Sequence, residues 1–241
     1  MFLPDSSSHP ALPHSHRKPI LCCVTDRHSL SGALKSDLFE PLLEKIEELA
    51  AAGVDWIQLR EKDLSGRATA ALACEAMRRV SKRLLSSGIL PRILVNDRVD
   101  VALSERAGGI HLGENSLPVE EVKRLLTPQF VPQRSHDFLV GVSCHSLDAV
   151  RSAASAGADY VFFGPVFATP SKASYGPPHG LARLADVCHS IEIPVLAIGG
   201  ITLENASSCL SAGACGIAAI RLFQDSTDPA GLVRSLRQSC S

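Results

Sequence analysis

Four cations stand just past short apolar runs: Arg60 and Lys62 in "VDWIQLREKD" (54–63), Lys172 in "GADYVFFGPVFATPSK", and Arg221 in "CGIAAIRLF" (215–223). Guanidinium and ammonium groups gathered in one place suit phosphate oxygens, arginine gripping as a fork and lysine acting as a point charge. The glycine pair of "IGGIT", Gly199 and Gly200, leads into a helical segment whose free N–H groups can cradle an anion. "NDR" at 96–98 offers the side-chain oxygens of Asn96 and Asp97. One carboxylate completed by substrate phosphates and water is how Mg2+ is commonly held. Cations and metal site together suggest a pyrophosphate, handled as substrate or leaving group.

Other polar residues close apolar runs in the same way: Gln58, His111, Glu114, Asn115, Ser116, Ser143, His145, Thr169 and Ser171. Each also has a plainer reading. Arg60 and Glu61 read as a rim ion pair, Asp97 as the cap of the next helix, and His111 and His145 as hydrogen-bonded strand-end residues. The argument for chemistry therefore rests on whether the chain brings these run-ends to one rim.

The elements that must do so recur from residue 19 onward. Eight apolar, β-rich runs (19–26, 54–63, 92–98, 108–115, 138–146, 159–166, 194–200 and 215–223) alternate with segments of helical spacing. Leu38, Leu42, Leu43, Ile46 and Leu49 form one such stripe, and 146–158 reads as a helix from a Ser146 cap to a Gly157 stop. "AAGVD", "SAGAD" and "SAGAC" each precede a run. Runs that are apolar throughout suggest strands covered on both sides, as in a parallel sheet. Eight such units in about 220 residues match a (β/α)8 TIM barrel of class α/β, spanning 19–241, with chemistry where strands end. A doubly wound sheet is the competing fold, weakened by "VTDRHS" where a GxGxxG turn would stand.

Bulk properties narrow the rest. A formal net charge of −1 gives no field for nucleic acid or an anionic membrane surface. No apolar run approaches a membrane-spanning length. Eight cysteines without a CxxC pair read as buried reduced thiols of a cytoplasmic protein. Residues 1–18, rich in Pro, Ser and His, read as a disordered extension in which His9, His14 and His16 are solvated. A homo-oligomer stays open.

"IQLREKD", "LVNDRVDVAL", "GGIHLGEN", "VGVSCHS", "GADYVFFGPVFATPSK", "PVLAIGGIT" and "AGACGIAAI" run in order through 20–223, and with them the chain resembles the thiamine phosphate synthases. More broadly it resembles their superfamily with the thiazole tautomerases. The resemblance implies a (β/α)8 barrel and a Mg2+-dependent transferase of thiamine biosynthesis. Its substrates would be hydroxymethylpyrimidine diphosphate and thiazole phosphate, joined by dissociative substitution with release of pyrophosphate. By position, Gln58, Arg60, Lys62 and Asn96 would hold the pyrimidine diphosphate, and Asp97 would ligate Mg2+. Ser143 would lie near the pyrimidine and pyrophosphate, with Lys172 neutralising the latter, so that Lys172, Ser143 and Arg60 carry catalysis. Thr169, Ser171, Gly200 and the backbone at Ile220 and Arg221 would bind the thiazole phosphate.

The pattern is broken twice. Ser116 stands where the family carries a second metal-binding aspartate, and Arg221 where a small residue is usual. Ser116 also suits a thiazole tautomerase, in which His145 or His111 would have to move protons. A histidine typical of that group is replaced here by Pro165, and "ND" favours the synthase. A non-catalytic barrel that binds thiamine intermediates is a third reading.

Overall fold

The computed structural model describes residues 18–30, 38–83, 90–113, 115–127, 138–169 and 177–239. Eight parallel strands close into a barrel in chain order: β1 (Ile20–Val24), β2 (Trp56–Leu59), β3 (Arg92–Asn96), β4 (Gly109–Leu112), β5 (Leu139–Cys144), β6 (Tyr160–Phe163), β7 (Val195–Ile198) and β8 (Gly216–Ala219). Helices α1 (Phe39–Ala52), α2 (Gly66–Arg83), α3 (Val99–Ser104), α4 (Val119–Leu125), α5 (Leu147–Ser155), α6 (Gly180–Ser190) and α7 (Leu203–Ser211) follow successive strands. After β8 come a single turn, α8 (Arg221–Gln224), and a last helix, α9 (Pro229–Gln238). The expected barrel is therefore present. Several strands are shorter than the runs that announced them, β2 stopping at Leu59 and β6 at Phe163, and in the eighth run the strand stops at Ala219 and Arg221 opens α8.

Side chains on a strand alternate between two faces, and closure turns one face inward. Leu21, Cys23, Ile57, Leu59, Ile93, Val95, Val161 and Phe163 pack outward against the helices. Cys22, Val24, Leu94, Tyr160, Phe162, Leu196 and Ala218 fill the lumen. The runs that read as uniformly apolar thus serve two separate cores. Phe162 and Phe163, adjacent in sequence, belong to different ones.

The "AAG" and "SAG" repeats behave as one device. Gly53, Gly157 and Gly213 all adopt left-handed backbone, with φ of 91°, 88° and 100°, and turn a helix end into the next strand. Ser146 caps α5 as expected, accepting from Ala149 N–H at 3.1 Å. In two of the repeats the aspartate two residues on anchors the neighbouring strand. Asp55 Oδ2 accepts from Leu21 N–H at 2.8 Å and pairs with Arg237 of α9 at 2.5 Å. Asp159 Oδ2 accepts from Val140 N–H at 2.7 Å and pairs with Lys123 of α4 at 2.8 Å.

Cys22, Cys23, Cys144 and Cys209 are buried free thiols, Cys188 and Cys215 are half-buried, and Cys74 is exposed. Burial pushes the Cys23 thiol up to about 12, so it is no nucleophile. Among the described residues, no helix is long and apolar enough to cross a membrane. Residues 1–17 of the expected extension lie outside the described residues, while Lys18 sits 3.8 Å from Asp55.

Leu94, fully buried in the lumen layer, should be costly to truncate. Leu94→Ala is expected to lose about 2–5 kcal/mol in urea denaturation, since the ring of strands cannot collapse onto the cavity.

Candidate active site

The lumen changes character one layer above Leu94. Gln58 lies beside Leu94 in register, and Asn96 is two residues beyond it on the same face. Asn96 is in turn level with His111. Gln58 Nε2 donates to Asn96 Oδ1 at 2.8 Å, so the two amides fix each other. From the next strand round, His111 bridges two hydroxyls: Nδ1 is 3.0 Å from Tyr160 Oη and Nε2 is 2.9 Å from Ser143 Oγ. Gly141 makes room for this, because a Cβ there would fall 1.9 Å from the Tyr160 ring.

Hydrogen-bond accounting sets the direction of this chain. Tyr160 is buried and has no other hydrogen-bond partner among the described residues, so its hydroxyl donates to His111 Nδ1. Nε2 then carries the imidazole proton and donates to Ser143 Oγ, so the Ser143 proton is not used within this chain of bonds. Burial, with the nearby charge of Arg60 adding to it, pulls His111 down to about 3. A histidine so held is neutral and unsuited to proton transfer near neutrality.

Above this floor stand the cations. Arg60 continues the inward parity of Gln58. Its charge is close enough to Lys62 to be the main cause of that lysine's lowered pKa, with desolvation adding and Asp97 opposing. The expected Arg60–Glu61 ion pair does not form. Neighbouring residues of an extended segment point to opposite faces, so Glu61 turns away from the mouth. There it accepts from Thr25 Oγ1 at 2.6 Å, from Arg27 N–H at 3.0 Å and from the Arg27 guanidinium at 3.0 Å. Arg27 also grips Asp63 through both oxygens, at 2.7 and 2.5 Å. Among the described residues, no ion pair involves Arg60 or Lys62.

Asp97 does not cap a helix either. It sits in left-handed backbone at φ 64°, with its N–H donating to the His111 carbonyl at 2.9 Å, and α3 begins beyond it with Arg98 in the capping position. The turn ends β3 at the mouth and leaves the Asp97 carboxylate exposed. Ser116 Oγ accepts from Gly113 N–H at 2.7 Å and so closes its own loop. His145 Nδ1 is hydrogen-bonded to the Gly164 carbonyl.

The opposite side of the mouth is a backbone cradle. Gly199 and Gly200 have φ of 95° and 67°, and a Cβ on Gly200 would fall 2.6 Å from the Ala168 carbonyl oxygen. That close approach brings Gly200 against the segment leading to Thr169. Asn205 holds the cradle in shape: its Nδ2 donates to the Gly200 carbonyl at 2.9 Å and its Oδ1 accepts from Thr202 N–H at 2.8 Å. Ile220 and the exposed Arg221 lead into the single turn of α8, whose first N–H groups lack intrahelical partners. Glu114, Ser171 and Lys172 lie outside the described residues.

Sequence reasoning passed over Tyr160, Arg27, Thr25 and Asn205. Thr202 followed three residues later by Asn205 carries a capping-box signature. The others carry no signal short of the fold. A groove lined by Glu47, Arg78, Arg79, Lys82 and Arg83 lies on α1 and α2, remote from these residues, and Arg79 there already pairs with Glu40, Glu47 and Glu75.

Among the described residues, no three His, Cys, Asp or Glu side chains gather to cage a metal. One exposed carboxylate beside two cations that would draw a phosphate-bearing ligand does fit Mg2+, which takes few protein ligands and completes its shell with phosphates and water.

A polar floor, a cationic lip and a glycine turn gather at the C-terminal ends of the strands of this (β/α)8 barrel, the end at which barrel enzymes carry their active sites. Within that class, the chain belongs to the thiamine monophosphate synthase family, whose model matches residues 21–223. A putative thiamine-phosphate synthase of Geobacter sulfurreducens is 42% identical over 216 residues, covering 90% of this chain and 92% of the relative. The thiamine-phosphate synthase of Roseiflexus castenholzii is 35% identical over 225 residues, covering 93% and 90%. A solved thiamine phosphate pyrophosphorylase from Pyrococcus furiosus superposes with a TM-score of 0.74 at 30% identity, covering 92% of this chain and 96% of that one. These relatives do not favour the tautomerase or non-catalytic readings. Neither does His111, locked and neutral in the floor.

The neutral His111 gives a pH signature. The unfolded chain binds a proton near pH 6.5, whereas the native state resists it to about 3, so stability falls as pH drops through that window. Urea denaturation should show this acid slope, and His111→Gln should flatten its upper part. An unchanged slope between neutrality and about pH 5 would contradict the assignment.

Proposed function

We propose that this chain condenses hydroxymethylpyrimidine diphosphate with thiazole phosphate to give thiamine phosphate and pyrophosphate. The observation that carries the reading is the placement of Arg60 and Lys62, free of carboxylate partners among the described residues, above the Gln58–Asn96 and His111–Ser143 floor. In this reaction the methylene C–O bond breaks and its electron pair leaves with pyrophosphate. The thiazole nitrogen then donates its lone pair to the pyrimidine-stabilised cation. Such a step asks little of a side-chain base and much of charge neutralisation and alignment.

In this reading Arg60 and Lys62 receive the diphosphate, Gln58 and Asn96 hold its pyrimidine end, and Ser143 donates its hydroxyl proton to the departing oxygens or the ring. Lys172 joins the cations as pyrophosphate forms. Thr169, Ser171, Gly200 and the backbone at Ile220 and Arg221 hold the thiazole phosphate facing it. Asp97 would hold Mg2+, which when bound offsets the charge on the leaving pyrophosphate. With its hydroxyl closing the Gly113 turn, Ser116 takes no part in that set.

Purified protein with both substrates and Mg2+ is expected to yield thiamine phosphate and pyrophosphate in equal amounts. No product above background from folded protein would end this reading. Asp97→Asn should cut Mg2+-dependent turnover by at least roughly 10- to 100-fold. Its stability should shift by no more than about 0.5 kcal/mol, because asparagine accepts left-handed backbone as readily as aspartate. Wild-type turnover in that variant would remove Asp97 from the metal site.

A further inference from the structure

The stretch Arg60-Glu61-Lys62-Asp63 is electrically neutral in sequence and would offer little to an anion if its charges paired with each other. The fold prevents this. Glu61 and Asp63 are both drawn to Arg27, at the start of a short 3-10 turn (Arg27–Ser29) that follows β1. The Arg27 side chain is only 10% exposed, and the Glu61 side chain 2%. Thr25 completes the clamp from both sides, donating to Glu61 and accepting from Arg60 N–H at 3.0 Å. A further tie reaches α8, where Gln224 Oε1 accepts from Asp26 N–H at 2.9 Å.

We propose that Arg27 is a positioning residue for the anion site: by pairing with both carboxylates of this stretch, it keeps them from pairing with Arg60 and Lys62, which are left for the diphosphate. It also supplies the one net positive charge that the stretch lacks. The ligand assignment rests on the proposed function. Arg27 itself does not touch the ligand; it acts through the two acids that it withholds. The Arg60 charge is the main cause that lowers the Lys62 pKa, with desolvation adding and Asp97 opposing, which agrees with the two cations lying close together without a carboxylate of this stretch between them. His28 Nε2 also meets Asp63 Oδ2, at 3.1 Å, but both side chains there are more than half exposed, so without Arg27 that single contact is left to keep Asp63 from turning towards Lys62 and competing with the incoming phosphates.

A residue that merely braces the loop and one that withholds acids differ in how they respond to loss of Asp63. Binding of inorganic pyrophosphate in Mg2+ is measured by calorimetry for wild type, Arg27→Met, Asp63→Asn and the double variant, with folding checked by thermal unfolding. Arg27→Met is expected to weaken binding roughly tenfold. Adding Asp63→Asn should recover most of that loss, and Asp63→Asn alone should bind at least as tightly as wild type. Arg27→Lys keeps the charge without the fork and should fall between wild type and Arg27→Met, which keeps the test sound if the methionine variant unfolds. Equal binding in wild type and Arg27→Met, or a double variant no better than Arg27→Met, overturns the proposal. If Arg27→Met does not fold, wild-type binding in Arg27→Lys overturns it. Wild-type protein that binds pyrophosphate yet makes no thiamine phosphate defeats the proposed function instead, leaving the two outcomes distinct.

Discussion

Closing eight strands into a ring leaves each residue only two places to go, the lumen or the helical shell, and a step of one residue switches between them. Everything at the mouth depends on that alternation. Gln58 faces the lumen and Leu59 the shell on β2, and the alternation carried just past the strand end sets Arg60 and Glu61 apart, so one short stretch supplies a floor amide, a lip cation, a shell leucine and a sequestered acid. The same rule divides Phe162 from Phe163. Shifting one strand by a single residue would exchange lumen-facing groups for shell-facing ones at every level.

Within this frame the site combines rigid and charged parts in separate layers. The floor is neutral and hydrogen-bonded throughout, with the Gln58–Asn96 pair on one side and the Tyr160–His111–Ser143 chain on the other. The lip carries the charge, and the glycine cradle contributes backbone. Layering of this kind lets dipoles and cations be fixed before a ligand arrives, which is where a substitution governed by leaving-group charge gains most.

Much of this was legible in the sequence. The barrel followed from eight apolar runs with helical segments between them, and Gln58, Asn96, His111 and Ser143 announced themselves as polar breaks near run ends. Pairings were harder. Arg27 meets Glu61 and Asp63 across 34 and 36 residues, a contact that no local pattern encodes, whereas the adjacency of Arg60 and Glu61 suggested a pair that strand geometry forbids. Asp97 looked like a helix cap because a helix follows at once, but the left-handed turn puts it one residue too early. Tyr160 gave no sign, since in "DYVFF" a tyrosine reads as one more core ring until the partner of its hydroxyl is known.

The closed end of the barrel is organised differently. Asp55 at the start of β2 and Asp159 at the start of β6 each accept from the second residue of the preceding strand and donate their own N–H back to its carbonyl. Each also takes a cation from the helix that precedes that strand around the ring, Arg237 of α9 in one case and Lys123 of α4 in the other. The two assemblies stand four strands apart, half the circumference, and are therefore related by an approximate half-turn about the barrel axis. Among the described residues the mouth shows no such repeat: the Arg60 and Lys62 cations, the Gln58–Asn96 amides and the Gly199–Gly200 turn each stand on one side only. One end of the barrel thus repeats an anchor across its axis, while the other is oriented, with different chemistry on its different sides.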